Sequence, residues 1–337
     1  MNSALTVMNF LKNKEIPRDQ WMELLISSPF SSPFQSPEYY TFINSINDFK
    51  AEVYAVAQKS KLTGLIVVTI QKEKGVKGYF SRRGIIYGGP LLTGSGKKDA
   101  EYLLKNTVKL LKKKVIYIEF RNYFDYSAFK TEFINNKFDY QPWLNYHLDT
   151  SDESQMIARV SSSRMLQIRK ALKAGVKVTE AESVEDVITF FKILSNLYKE
   201  RVRKPLPDQE FFIEFYRQGI GKFFLVKYQD KIIGGIMCPI YKHKAIYELY
   251  VCGLDTEYRD QYPSVMATWA AMDYALKNKI PIFDFMGAGS PEKNYGVREF
   301  KARFGGNLVE YGRFVHITNH LLFFIGKAVL DVLSKIR

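Results

Sequence analysis

One order of elements is written twice in this 337-residue chain, at an offset of about 170 residues, and that doubling limits the available folds more than any other feature. In the first half, AEVYAVAQ (51–58) reads as a strand, KSKLTG as a turn and LIVVTIQ (65–71) as a second strand. A turn at KEKGVKG leads to YFSRRGIIYGG and Pro90. KKDAEYLLKNTVKLLKKK (97–114) has helical spacing, with Leu103, Leu104, Val108 and Leu111 on one face, and VIYIEF (115–120) closes as a strand. In the second half, KFFLVKYQ (222–229), a turn at Asp230-Lys231 and IIGGIMCPIY (232–241) predict a hairpin. AIYELYVCG (245–253) reads as a third strand, SVMATWAAMDYALKN (264–278) as a helix behind Pro263, and IPIFDFMG as the closing strand. Laid over each other, Val56/Val226, Lys61/Lys231, Gly64/Gly234, Ile66/Ile236 and Ile70/Ile240 coincide. Chance matches at apolar strand positions are cheap, so the shared order carries the inference: two copies of one α/β unit.

Between the copies, SSSRMLQIRKALKAGVKVTEAES (161–183) reads as a basic helix, a stop at Gly175 and a strand. A second helix begins at the cap Ser183, with Asp186 at its third position as a variant capping box. Net charge is +14 with a pI of about 9.4, which favours anionic partners: nucleic acid, phosphorylated substrates or an anionic membrane face. A solvated basic surface is the bland alternative. Cys238 and Cys252 lie in apolar strand-like runs and read as buried thiols in a reducing cytoplasm, not a disulfide framework. The first residues are polar by residue 12, unlike a signal peptide, and no run reaches the roughly 18 apolar residues of a membrane span. LLFFIGKAVLDVL near the C-terminus comes nearest, interrupted by Lys327 and Asp331. It reads as a core helix, with docking on a membrane surface as the second reading.

FDFMGAGSPEKNYGVREFKARFGG, Phe283 to Gly306, is the most pointed stretch. It starts like the end of a buried strand, turns on Gly287 and Gly289, then carries Arg298, Lys301 and Arg303. A dinucleotide fingerprint would need a third glycine where Glu292 stands, and the Gly-Lys-Ser/Thr close of a P-loop is absent.

Strand, helices, meander, helix, strand is the order of the GNAT acyltransferase fold, and two tandem copies joined by a basic helix resemble the Fem family of peptidyltransferases. SRRGIIYGGPLL (81–92) is similar to that family's Arg-Gly-x-x-x-Gly-Gly-Pro segment, and IYIEFR (116–121) to the strand that follows it. SSSRMLQIRKALKAGVKV (161–178) resembles the junction helix, and the stretch from Phe283 resembles the closing Asp-Phe-x-Gly … Phe-Lys-x-x-Phe-Gly. The resemblance runs from about residue 50 to residue 310. It departs from single-domain acetyltransferases before the long helix, where the glycines of the coenzyme A loop are replaced by RDQYPS (259–264). No long helical hairpin interrupts the second copy.

The resemblance implies an α/β (α+β) chain of two tandem GNAT-like domains, each a mixed, mostly antiparallel sheet flanked by helices. Residues 1–150 are expected to form the first, acceptor-side domain and 151–312 the second, catalytic one. Residues 313–337 are expected to be a strand and helix packing back on the first. Lys301 and Asp284 are the expected catalytic residues: Lys301 as a cation facing a phosphate or the developing oxyanion, Asp284 as a buried carboxylate in need of a partner. Asp284 also has two structural readings, holding an arginine or capping the Gly287–Gly289 turn. Arg82, Arg83, Arg164, Arg169, Lys170, Arg298, Arg303, Gly287 and Gly289 are expected to bind substrate, guanidinium groups being suited to diphosphate. Glu119 and Arg121 read as an ion pair or a catalytic pair. His147, His243, His316 and His320 lack nucleophile or metal-ligand spacing, so no metal is expected.

The reading is a cytoplasmic transferase, aminoacyl or acyl, that makes an amide bond on an amine of a phosphorylated, nucleotide- or lipid-linked cell-wall or surface-polysaccharide precursor. No bound cofactor is expected. Aminoacyl-tRNA or acyl-CoA is the co-substrate, and the partners are the anionic precursor, tRNA and the inner membrane face, with no DNA. An acyl-CoA-dependent N-acyltransferase on a nucleotide-linked amino sugar, and a non-catalytic tRNA- or polyanion-binding protein, are the alternatives.

Overall fold

The computed structural model describes residues 8–72, 77–94, 96–241, 243–293 and 295–336. The chain forms two compact units, Met1–Pro142 with Tyr311–Arg337, and Trp143–Glu310. In chain order the first unit holds β1 (Met8–Lys12), β2 (Phe49–Gln58), β3 (Lys61–Gln71), β4 (Arg83–Tyr87), β5 (Leu91–Leu92), β6 (Tyr117–Arg121) and β7 (Asp139–Gln141). The second holds β8 (Leu144–Asp149), β9 (Lys177–Glu180), β10 (Gly221–Tyr228), β11 (Lys231–Tyr241), β12 (Ala245–Tyr247), β13 (Tyr250–Gly253), β14 (Ile282–Asp284) and β15 (Asn307–Glu310). Last comes β16 (Arg313–Ile317), which returns to the first.

Each unit is built on one eight-stranded sheet, ordered β1-β2-β3-β4-β6-β16-β7 with β5 beside β3, and β15-β8-β14-β12-β11-β10-β9 with β13 beside β11. Read from β9, the second order corresponds to the first strand for strand. In each, one central pair is parallel, β4 with β6 and β12 with β14, and all others are antiparallel. β8 and β16 also correspond: each lies in sequence outside the repeat whose sheet it completes. Residues 143–150, expected in the first domain, therefore belong to the second sheet. β8 finds its partners in β14 and β15, where Leu148 and Tyr146 face the core.

Each sheet has an apolar face against helices. In the first, Ile86, Ile118 and Phe120 pack with Leu103, Leu104 and Leu111 of the helix Lys97–Leu111. Phe314 of β16 stacks on Phe133 with ring centroids 3.9 Å apart. In the second, Ile236, Ile246 and Phe283 pack with Met266, Ala270 and Ala271 of the helix Pro263–Lys277. Burying each large aliphatic or aromatic side chain contributes about 1.5–3 kcal/mol. Ser183 caps its helix as expected, Oγ accepting from Asp186 N at 3.1 Å, while the Asp186 carboxylate accepts from Glu182 N at 3.0 Å.

Two expectations change. AIYELYVCG is not one strand: Glu248 N donates to Asp284 O (2.9 Å) and Leu249 N to Met237 O (3.0 Å), so the segment splits into β12 and β13. β13 pairs only β11, and β14 pairs β12, so the sheet opens after Tyr247. The first sheet opens at the matching place, between β4 and β5. The C-terminal helix His320–Ile336 does not read as a core helix over its described side chains: Leu321, Phe324 and Ile325 are exposed, while Leu322 and Phe323 are half-buried. Among the described residues no helix is long and apolar enough to cross a membrane.

Candidate active site in the second unit

β14 ends at Asp284, and the chain then turns with Met286, Gly287 and Gly289 at φ of 54°, 114° and 81°. Positive φ costs an L-residue steric strain that glycine avoids. At Gly289 space is also short, since a Cβ would fall 2.9 Å from the Tyr295 ring. The turn is laced to β8: Phe285 N donates to Tyr146 O (3.1 Å), Ala288 N to Leu144 O (2.7 Å) and Leu144 N to Gly289 O (2.9 Å). Gly287 N donates to Asn145 Oδ1 at 2.7 Å. Gly287 and Gly289 thus shape a fixed turn.

Asp284 is buried, and its carboxylate accepts three hydrogen bonds. Its Oδ1 takes Asn145 Nδ2 (2.7 Å) and Met286 N (2.7 Å), and its Oδ2 takes His147 Nε2 (3.0 Å). Burial pulls the His147 imidazole down, but the Asp284 charge and hydrogen bond outweigh it and hold it above its ordinary value. An imidazole bound to a carboxylate can take up and release a proton near neutrality.

Lys301, on the short helix Gly296–Ala302, does not face an open site. Its ammonium is 6% exposed at the residue level and points inward to Phe285 O, to Gly287 O (3.0 Å) and to Glu248 Oε1 (3.1 Å). Three acceptors match its three protons. Glu248, at the break between β12 and β13, is completely enclosed, and its Oε2 accepts from Thr268 Oγ1 at 3.1 Å. Burial pushes the Glu248 carboxyl up, only partly countered by Lys301 and Thr268. The expectation of a free cation facing substrate is therefore corrected: the amine is held where its charge balances Glu248 and its N–H groups satisfy turn carbonyls.

Two of the arginines are also engaged within the unit. Arg298 folds over the turn, Nε donating to Ala288 O (2.9 Å) and Nη2 to Ser290 O. Arg164 is buried between the Phe300 and Phe304 rings, 4.5 and 4.6 Å from their centroids, and donates to Gln167 Oε1 and Phe300 O. Burial and the neighbouring charge of Arg303 pull its guanidinium down to about 10. Arg169, Lys170 and Arg303 are exposed. Ahead of the long helix, Tyr262 has φ 48° and Pro263 offers no N–H. The Asp255 carboxylate occupies the next donors, taking Ser264 N at 3.1 Å and Ser264 Oγ at 2.5 Å.

Arg82 and Arg83 belong to the first unit, where both are half-buried, and Arg83 Nε donates to Gln71 Oε1 at 3.0 Å. On the same sheet face, Glu119 takes Arg121 Nη2 (3.2 Å) and Arg313 Nη1 (2.5 Å), and Arg121 lies over the Tyr87 ring at 5.3 Å. Burial pushes the Glu119 carboxyl up, but the two guanidiniums outweigh it and hold it below the ordinary range. Two guanidiniums here meet one carboxylate, with Arg83 on the same face bound to Gln71.

His147, Asn145, Glu248, Asp255 and Arg313 were not singled out from sequence for these roles. Two signals were there to read: Asn145 and His147 alternate in LNYHLD and so share a strand face, and Glu248 is a lone acid in an apolar run. Among the described residues no group of His, Cys, Asp or Glu could hold a metal ion.

Residues 162–295 match the acetyltransferase (GNAT) domain family. No curated protein matches the sequence. Among solved structures, FemX is 16% identical, with 94% of this chain and 99% of that one covered and a TM-score of 0.72. A tandem GNAT protein from the clavulanic acid biosynthesis pathway is 10% identical over 93% and 99% of the two chains, with a TM-score of 0.60. The C-terminal domain of a putative lysylphosphatidylglycerol synthetase from Agrobacterium fabrum is 12% identical over 94% and 95%, with a TM-score of 0.58. The doubled sheet and the family match together define the class of fold: two tandem GNAT-like units, the second carrying the stretch that matches the acetyltransferase (GNAT) domain. Within that class the fold is of the Fem type.

Proposed function

We propose that the chain transfers an aminoacyl group to an amine of a phosphorylated, nucleotide- or lipid-linked cell-envelope precursor, forming an amide. The acceptor nitrogen attacks the donor ester carbonyl, the C–N bond forms, the C–O bond breaks, and the proton lost by nitrogen leaves with the alcohol. Such a reaction needs orientation, charge stabilisation and a proton acceptor, not a covalent nucleophile. Cys238 and Cys252 are buried with thiols raised by that burial, which fits a direct transfer. The His147–Asp284 pair is the group suited to the proton.

The observation that carries the choice of donor is Asp255. A diphosphate binds a helix N-terminus through free N–H groups and its positive end. At the start of the helix Pro263–Lys277, one residue lacks the N–H and the next is taken by a carboxylate. That arrangement disfavours coenzyme A and supports an aminoacyl ester carried by tRNA, to which a net charge of +14 is suited. The surplus of guanidinium groups around Glu119 supports binding of the acceptor phosphates in the first unit.

Incubation of the chain with aminoacyl-tRNA or with acyl-CoA, against a panel of nucleotide-linked amines, tests the reading by mass spectrometry. Amide product from aminoacyl-tRNA alone supports it. Product from acyl-CoA, together with a thermal shift on coenzyme A, would replace it with an acyl-CoA-dependent enzyme. tRNA binding without product from either donor would leave a polyanion-binding protein.

A further inference from the structure

We propose that the outward face of the helix His320–Ile336 docks on an anionic lipid surface. The inference stands apart from the proposed reaction. The helix is already seated by its other side: Phe323 meets the Tyr117 ring edge-on with centroids 5.5 Å apart, and Gly326 lies so close to Phe80 O that a Cβ would sit 3.0 Å from it. Its start is pinned by Thr318 N (2.9 Å) and Asn319 N (3.1 Å) on Ile116 O, and by Thr318 Oγ1 on Val115 O.

Among the described side chains, the seated side leaves an apolar stripe outward. Leu321, Phe324 and Ile325 are 71%, 61% and 38% exposed and stand at i, i+3 and i+4, one helical face. Phe80, on the adjoining helix Lys77–Ser81, is 38% exposed. Large apolar side chains that cluster in water mark a contact surface.

The charges nearby say which kind. Lys112 and Lys113 are exposed just before Val115 and Ile116, the residues that pin the helix, and Lys327 is exposed on the helix itself. From residue 318 onward the sequence has Lys327, Lys335 and Arg337 against Asp331. An apolar stripe bordered by lysines matches an anionic interface, where the apolar groups enter the acyl boundary and the cations meet headgroups. A second copy docking through the same patch would bring these lysines together. Seventeen residues with interior charges suit a helix lying on the surface rather than crossing it.

The test is cosedimentation of the full chain with vesicles of phosphatidylcholine alone or mixed with phosphatidylglycerol. The expected result is binding to the mixed vesicles only, weakened by salt as surface charges are screened. Leu321→Gln/Phe324→Gln should lower that binding about tenfold, and Lys112→Glu/Lys113→Glu should lower it too, each without moving the melting temperature. All four positions are exposed, so folding is spared. Equal or absent binding to the two vesicle types, or unchanged binding by Leu321→Gln/Phe324→Gln, overturns the proposal. So does a concentration-dependent dimer that the apolar variant abolishes, which would assign the stripe to self-association.

Discussion

Glu119 and Asp284 occupy the same position in the two copies, yet they keep different company. In the first sheet Gln71, Arg83 and Tyr117 stand in register, and Glu119 follows Tyr117 by two residues. In the second, Tyr241, Ala245 and Ile282 stand in register, and Asp284 follows Ile282 by two. The inserted strand then supplies the partner: Arg313 on β16 for Glu119, Asn145 and His147 on β8 for Asp284. One framework thus holds a cation-rich cluster in one copy and a histidine–carboxylate pair in the other. The second copy adds Glu248 at its opening with Lys301 to balance it, where the first has apolar Ile86 one residue past Ile85. The two copies share these backbone positions and differ in the side-chain chemistry placed on them.

The largest expected effect breaks the pair that the first copy lacks. Lys301→Met leaves Glu248 buried without its cation and should cost about 4 kcal/mol in urea unfolding, as breaking a buried pair does. Adding Glu248→Gln should recover most of that loss. Transfer activity in the recovered double variant would confine Lys301 to holding the turn, whereas stability without transfer would give its ammonium a part in the reaction. Glu119→Gln should cost on the order of 3 kcal/mol, at the low end because Arg121 and Arg313 keep some exposure. A larger loss at Glu119 than at Lys301 would reverse the ranking of the two copies. Arg298→Ala, which frees the carbonyls of Ala288 and Ser290, should cost about 2 kcal/mol.

Acidity separates the copies by sign. The lowered carboxyl of Glu119 contributes stability above its ordinary value, and that contribution is lost as pH falls through the folded value. The raised imidazole of His147 contributes below its ordinary value and loses the contribution as pH rises through the folded one. The stability gap between the parent chain and Glu119→Gln should therefore close on the acid side, and that for His147→Asn on the alkaline side. Gaps closing on the same side would contradict the contrast. Arg303→Ala, at an exposed position, should move stability by less than about 0.5 kcal/mol, and a drop in tRNA affinity without such a shift would place it on the binding surface.

Much of the framework was legible. Alternating apolar residues and helical spacing predicted β2, β3, β10 and β11 and the helices Lys97–Leu111 and Pro263–Lys277 to within a few residues, because each pattern is local. The strand exchange was not legible. LNYHLD has no local feature that selects β14 over β6, and its place depends on a pairing across more than a hundred residues. The same holds for the site: Asp284 was found as a buried acid in an apolar strand, but His147 was passed over because its partner lies in another part of the chain. Lys301 was read from the sequence as a cation facing substrate, and its inward direction followed only from Glu248 lying opposite.

By itself the sequence determined the doubled α/β build, the glycine turn after β14 and the positive charge, since these rest on local periodicity, backbone conformation and composition. Tertiary structure alone decided which carboxylate meets which base, that Lys301 and Arg164 are enclosed, and that Leu321 and Phe324 face outward. Those outcomes depend on which strands pair and which helix sides pack. Such choices are made by burial summed over distant segments, and no single stretch of residues encodes them.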